Sequence, residues 1–383
     1  MKCKKILTAL LAAACTMSGC HGDLDIMQDN KLSASNMWID ESDAETATYG
    51  IYLYMRDALK SVHDIYLCWG EFRNGLWGAG TNKTLSGVDQ TQVRTSTMSS
   101  SNAYADWSVM YKTVNQANLI LKHVPEMGIS ESVRNFSLGN AYFSRAWCYF
   151  WIARIWGDAP LALTGYESMG GDLYLPRAPK AEIFARIESD LTEAERYVTD
   201  NSDKAVATPA AVQMLKADYA LWMYRVAGGG SSYLTMAEKA IEALNLSASR
   251  LESDYAQVFS SANKLNKEVI FAVHQANGEA VNGPGYYLGW NSNYVEAAYQ
   301  NNPVPITGGN QWWWYTDRYK ALLTSVEGDT RTKLTYNRAD YGTTIKSIEW
   351  TEKGVGQMIS GARIFDSDFI LYRYCLLYTS PSP

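Results

Sequence analysis

The chain has 383 residues, 47% of them hydrophobic and 19% charged, a composition that supports a globular body large enough for a sizeable core or two sub-domains. Its net charge of −6 argues against nucleic-acid binding, which asks for a basic stripe. No segment beyond the N-terminus is apolar enough to span a bilayer as a helix, and the cysteines show no C-x-x-C spacing, so neither a disulfide framework nor a zinc site is expected.

The first residues read as a targeting signal. Lys2, Lys4 and Lys5 form a basic start, Ile6 to Ala14 a short apolar run, and Ser18 and Gly19 the small residues a peptidase needs beside its cut. The run is too short to cross a membrane. Ending on "MSGC", it resembles a bacterial lipobox in which Cys20 is acylated and becomes the mature N-terminus, with Met17 where such boxes usually carry Leu. An ordinary secretory signal with a chance cysteine is the plainer alternative. Several acyl chains on one residue would anchor firmly, because each buried CH2 contributes roughly 0.8 kcal/mol.

Helical periodicity then dominates to about residue 245. Ala44, Ala47, Ile51, Tyr54 and Ala58 recur at spacings of three and four and predict a helix over 42–58. Val109, Val114, Ala117, Ile120 and Leu121 predict a second over 106–122. In "LGNAYFSRAWCYFWIARIWGDAPL" Phe143, Ala146, Trp147, Phe150 and Trp151 form a broad stripe, and Gly157 and Pro160 stop the helix. At that spacing Trp147, Trp151 and Trp156 are expected in the core. A further helix opens near Pro179 and buries Ile183, Ile187, Leu191 and Ala194. Another opens on Thr208-Pro209 and breaks at Gly228, Gly229 and Gly230. A shorter one spans 235–244. Paired helices of this kind look like tetratricopeptide-type stacking, in which each pair needs its neighbours to cover its apolar face.

After residue 250 the texture changes. "KEVIFAV" predicts a strand. Long Gly/Asn/Pro/aromatic stretches follow over 276–311, where a helical scaffold would carry a binding face. The final "CLLYTSPSP" does not continue "FDSDFILYRY" and resembles a translated sequencing-adapter read-through. The expected division is therefore a lipoprotein signal peptide over 1–19, a helical region over 20–250, an incomplete loop-rich region over 251–374 and a non-native tail over 375–383. If the chain is incomplete, the helical stack would carry an uncovered apolar face and express poorly.

Several of these segments, in order, resemble the SusD/RagB family of Bacteroidota outer-membrane lipoproteins. They are "CHGDLDI", "NMWIDESDAETATYGIYLYMRD", "AYFSRAWCYFWIARIWGDAPL", "RAPKAEIFARIESDLTEAE", "TPAAVQMLKADYALW", "NKEVIFAV", "DTR" and "DFILYRY". The resemblance implies a mostly α fold, a tetratricopeptide-like repeat scaffold with long loops and few short strands. It also implies a function without chemistry: a surface lipoprotein that binds glycans and caps a partner, a SusC-like TonB-dependent β-barrel transporter. It implies no cofactor. Some members look to take peptides instead, and a surface glycoside hydrolase is the rival of another class. No G-x-S-x-G, H-E-x-x-H or Walker A motif occurs, but paired carboxylates far apart in sequence stay open. Asp23, Asp25 and Asp29 mimic a calcium loop only loosely, lacking its Gly and terminal Glu, so no metal is expected.

Three segments combine flat rings with hydrogen-bonding side chains, as sugar recognition requires. "WGEFRNGLWGAG" offers Arg73, Asn74 and Trp77; "NGPGYYLGWNSNY" offers Tyr287 and Trp290; "GNQWWWYTDRY" offers Trp312 and Trp313. Each aromatic can instead be a core residue. Consecutive Trp residues in a strand alternate sides, so not all of 312–314 are expected to face inward. The expectation is that Trp77, Trp290 and Trp312 share one exposed face beside Arg73.

Overall fold

The computed structural model of the chain describes residues 37–80, 88–168, 173–279, 283–309, 311 and 313–375, the side chains of 63 and 64 excepted. The expectations for the signal peptide, Cys20, Trp312 and residues 376–383 lie outside the described residues.

The first helix, α1 (Glu41–Glu71), starts at a reciprocal cap. Asp40 accepts the Asp43 backbone N–H at 3.1 Å, and Asp43 accepts that of Asp40 at 3.2 Å. It runs past the expected end at Ala58 because its apolar stripe continues: Ile51, Met55, Ala58, Ile65, Cys68 and, just beyond, Phe72 are all buried. A short helix α2 (Val88–Thr95) and α3 (Ser108–His123) lead to α4 (Glu131–Trp156), which is buried on nearly every side over its second half. A helix apolar all round belongs at a centre. Trp147 is buried there, and Trp151 and Trp156 pack against the same core, as their spacing predicts. Gly157 ends α4 at φ 74°, a conformation that favours glycine.

The helices α5 (Lys180–Tyr197), α6 (Pro209–Arg225) and α7 (Ser231–Ala243) follow. Ile183, Ile187, Leu191 and Ala194 face inward, and Thr208 caps α6 by accepting the Ala211 N–H at 3.1 Å. The helix α1 packs on α3 and α4, α3 on α4, α4 on α5, and α6 on α7, so each stripe is covered by a neighbour. Gly139 allows α4 to meet the end of α5 closely: a Cβ there would lie 2.7 Å from Val198 Cγ2. Within this stack Arg145 of α4 forms a two-pronged pair with Asp190 of α5, at 2.8 and 2.7 Å. Its third nitrogen donates to Asn118 Oδ1 of α3 at 2.7 Å. The two side chains are 6% and 0% exposed.

Beyond α7 lie three further short helices, Tyr255–Val258, Asp317–Leu323 and Thr330–Thr335, and the described residues also form short two-stranded ribbons. They pair β1 (Trp77–Ala79) with β5 (Trp313–Tyr315), β2 (Ala159–Pro160) with β3 (Arg177–Ala178), and β4 (Val269–Val273) with β10 (Phe369–Arg373). The remaining two join β6 (Asn337–Ala339) to β7 (Ile348–Trp350) and β8 (Gln357–Ile359) to β9 (Ala362–Ile364). The strand expected in "KEVIFAV" is β4. All five of its residues are buried, because β4 and β10 press into the helical core with Phe271 and Phe369. A second core gathers Phe72, Trp77, Leu288, Trp313, Trp314 and Tyr315, and a third gathers Trp290, Val295, Val304, Ile348 and Trp350.

Candidate functional site

The three aromatic segments singled out in the sequence meet. At the end of α1, Asn74 builds a turn: its Oδ1 accepts the Leu76 N–H at 2.8 Å and its Nδ2 donates to Glu71 Oε2 at 2.7 Å. Gly75 follows at φ 77°, and the chain enters β1. There Trp77, Gly78 and Ala79 lie opposite Tyr315, Trp314 and Trp313. Thr316 locks the register by donating its N–H to Leu76 O at 2.9 Å. From the third segment, the ring of Tyr287 sits 6.1 Å from that of Trp313.

What meets is mostly core. Trp77 is 8% exposed, Trp313 2% and Trp290 0%. The exposed face expected to carry Trp77 and Trp290 does not form; Trp312 lies outside the described residues. Trp77 is held between Phe72 and Tyr315, with ring centres 5.9 and 4.8 Å away, and Phe72 also covers Trp313 at 5.2 Å. Trp290 belongs to the third core, where its indole N–H donates to the Glu349 carbonyl at 2.8 Å. Burial of the neighbouring strand residues has a related reason. Trp313, Trp314 and Tyr315 are all buried because the ribbon is covered on two sides, by Phe72 and by Glu349, which accepts the Trp314 indole N–H at 2.8 Å.

The accessible part is the rim. Arg73 and Asn74 are exposed and Tyr287 is half-buried. Arg73 donates to Ser96 Oγ at 3.3 Å. Arg94 reaches the same strand, its Nη1 4.0 Å from where a Cβ on Gly78 would sit. A guanidinium, a turn amide and a phenol ring set against a rigid aromatic base can hydrogen-bond hydroxyls and stack on an apolar ring face. With Asn74 already spent on its own turn, Arg73 is the more available member.

Sequence reasoning missed Glu349, Arg94 and Ser96. Glu349 is a buried acid whose carboxylate is held by Trp314, Lys320 and Tyr336, and it reads in "SIEW" as an ordinary polar strand position. Burial first, and the Glu349 charge second, push the Tyr336 hydroxyl up to about 12. Behind the ribbon lies a cavity of about 460 Å3, lined by Trp77, Tyr315, Tyr319, Glu71, Lys353 and Arg373 among others. Among the described residues no group of three His, Cys, Asp or Glu side chains is placed to hold a metal ion, and no helix is long and apolar enough to cross a membrane.

Comparison with known proteins agrees with this architecture. Residues 79–222 match the model of a SusD-like family described as starch-binding and associating with the outer membrane. The chain is 26% identical over 190 residues to the SusD-like protein P38 of Formosa agariphila, a match covering 50% of this chain and 36% of that protein. The aligned stretch thus spans about a third of that curated relative's length. A SusD superfamily protein from Bacteroides fragilis superposes with a TM-score of 0.73 at 25% identity, covering 89% of this chain and 74% of the other. Surface glycan-binding protein A from Bacteroides thetaiotaomicron, solved in complex with laminarihexaose, shares the fold at a TM-score of 0.69 and 16% identity, covering 87% of this chain and 76% of the other. By matched segment, curated relatives and shared fold, the chain is similar to SusD-like proteins.

Proposed function

We propose that this protein is a surface-exposed outer-membrane lipoprotein, anchored through Cys20, that binds oligo- or polysaccharide without turning it over. It would hand the glycan to a TonB-dependent β-barrel partner. The observation that carries the binding reading is the gathering along the short β1–β5 ribbon of Arg73 and Asn74, beside its Trp77–Tyr315 end, and of Tyr287 and Trp313, at its Ala79 end, from segments far apart in sequence. A rigid, aromatic-backed rim with an accessible guanidinium suits capture of a hydroxylated ring. The lipobox-like segment and the family's description support the location. The helical stack and short ribbons offer no conduit of their own among the described residues, so import asks for a second protein.

The test is direct. Purified protein is titrated calorimetrically with a polysaccharide panel, and the same mixtures are assayed for new reducing ends. Saturable binding of at least one glycan with no new ends is expected. New reducing ends that vanish on changing one carboxylate would replace this reading with a hydrolase, and a panel in which peptides bind and glycans do not would replace the ligand class.

A further inference from the structure

The helix α2 ends on a turn that its sequence does not favour. The Thr97 N–H donates to Gln92 O at 2.9 Å, and the Ser96 N–H donates to Val93 O at 3.3 Å. These are the six-to-one and five-to-two bonds that close a helix around one left-handed residue, a place usually held by glycine. Here that residue is Ser96, at φ 58°. A Cβ crowds the backbone in this region, so a serine strains the turn where a glycine would not.

The hydroxyl supplies a reason for the strain. Ser96 Oγ accepts from Arg73 Nη2 at 3.3 Å. The flanking hydroxyls stay on their own segment: Thr95 Oγ1 donates to Thr91 O at 2.8 Å and lies 2.8 Å from Thr97 Oγ1. Arg73 lies just beyond α1 and Ser96 just beyond α2, so the bond ties two helix ends together beside the ribbon. The turn that offers the hydroxyl is firmly seated. Val93 is buried in the second core with Trp77 and Trp313, and Gln90 donates to the Tyr104 hydroxyl at 3.0 Å.

An exposed arginine samples many rotamers, and ordering it on binding costs free energy. A hydroxyl on a seated turn removes part of that cost before a ligand arrives. It engages one guanidinium nitrogen and leaves the others to donate outward. Backbone strain of this kind gathers where a binding surface is held in one geometry.

Resting on the glycan-binding reading, we infer that Ser96 is a positioning residue: its hydroxyl holds the Arg73 guanidinium in the orientation that meets the ligand. A glycine would end α2 with less strain and leave Arg73 loose.

Three variants of the full chain separate the hydroxyl from the turn. Ser96→Gly relieves the turn and removes the hydroxyl, Ser96→Ala removes the hydroxyl alone, and Ser96→Thr keeps it. Each is melted and titrated with laminarin, xylan, dextran and polygalacturonate, and the glycan that wild type binds most tightly is followed. Ser96→Gly is expected to melt about 1–2 °C higher and yet bind about three- to tenfold more weakly, the scale of one hydrogen bond. Ser96→Ala should lose as much affinity without the gain in melting temperature. Ser96→Thr should melt lower, because a β-branched side chain suits a positive φ least, and keep its affinity within about twofold. In an Arg73→Ala background, Ser96→Gly should leave binding unchanged. Nitrogen-15 relaxation at Arg73 Nε gives a reading that needs no ligand: the side chain should be more mobile in Ser96→Gly and as ordered as wild type in Ser96→Thr. Three results overturn the inference: affinity that rises and falls with melting temperature, Ser96→Gly binding as tightly as wild type, or Arg73 equally ordered in Ser96→Gly. If no glycan binds, here or in the broad panel, the glycan reading falls, and Arg73 relaxation alone decides whether Ser96 positions it.

Discussion

Trp314 donates its indole N–H to Glu349 Oε2 at 2.8 Å, and the same carboxylate is reached by Lys320 Nζ at 2.8 Å and the Tyr336 hydroxyl at 3.0 Å. The backbone carbonyl of Glu349 takes two more donors, Trp290 Nε1 and Gln311 Nε2, both at 2.8 Å. One residue on β7 therefore fixes Gln311 and Trp314 from behind, while Phe72, just beyond α1, covers Trp313.

Replacing that residue should show its weight. Glu349→Ala leaves three buried or half-buried donors without their acceptor, and a loss of about 2–4 kcal/mol is expected in urea unfolding. Glu349→Gln keeps an acceptor oxygen and should cost less. Equal losses in the two variants would mean that packing, not hydrogen bonding, sets the contribution of this side chain.

The Arg145–Asp190 pair should behave as a buried ion pair does when halved. Asp190→Ala strands a guanidinium in the helical core and is expected to destabilise by about 3–5 kcal/mol. A double variant, Arg145→Met with Asp190→Leu, should recover most of that loss. If it recovers none, the pair is held for a reason other than its charge.

Stability and affinity should separate the buried rings from the rim. Trp290→Ala is expected to cost about 3–5 kcal/mol of stability, as truncation of a buried aromatic does. Arg73→Ala, exposed and held by one hydroxyl, should leave the melting temperature nearly unchanged and weaken glycan binding about tenfold or more. The comparison is made by running thermal melts and titrations on the same preparations. A stable Trp290→Ala or an unimpaired Arg73→Ala would each contradict the assignment made for it.

A histidine links stability to pH. His274 Nδ1 lies 3.0 Å from Asp368 Oδ1, and that contact, opposed by partial burial, raises its folded pKa above the ordinary 6.5. A raised folded pKa means the native state holds the proton more tightly. The stabilisation is therefore full below pH 6.5 and fades as pH rises through the folded value. Because the ring is partly exposed, the effect should be small. Unfolding of wild type and His274→Gln, compared at pH 5.5 and pH 9, should differ at the lower pH and converge at the higher one. A difference that grows with pH would reverse the sign and exclude this pair as its source.

The helices were legible because what specifies them is local. Thr208 with Pro209, Gly157, and the three-and-four spacing of Ile183, Ile187, Leu191 and Ala194 each act within a few residues, and each appears where the sequence puts it. The strand β4 was equally readable from its β-branched run. Even the ends that moved did so along the same pattern: α1 continues to Glu71 because its apolar stripe does.

The site was legible as a set of segments and not as a set of surfaces. Sequence singles out the stretches around Arg73, Tyr287 and Trp313, since rings mixed with amides and guanidinium groups are conspicuous in any order. Which of those rings water can reach depends on partners the sequence places far away. Thr316 bonds Leu76 across 240 residues, and Trp314 finds its acceptor 35 residues on. A tryptophan bears the same ring in a core or on a rim. Only the tertiary structure, by laying Phe72 on one side of the ribbon and Glu349 on the other and by gathering Trp290 into a separate core, decided that Trp77, Trp290 and Trp313 are buried, Arg73 exposed and Tyr287 half-buried.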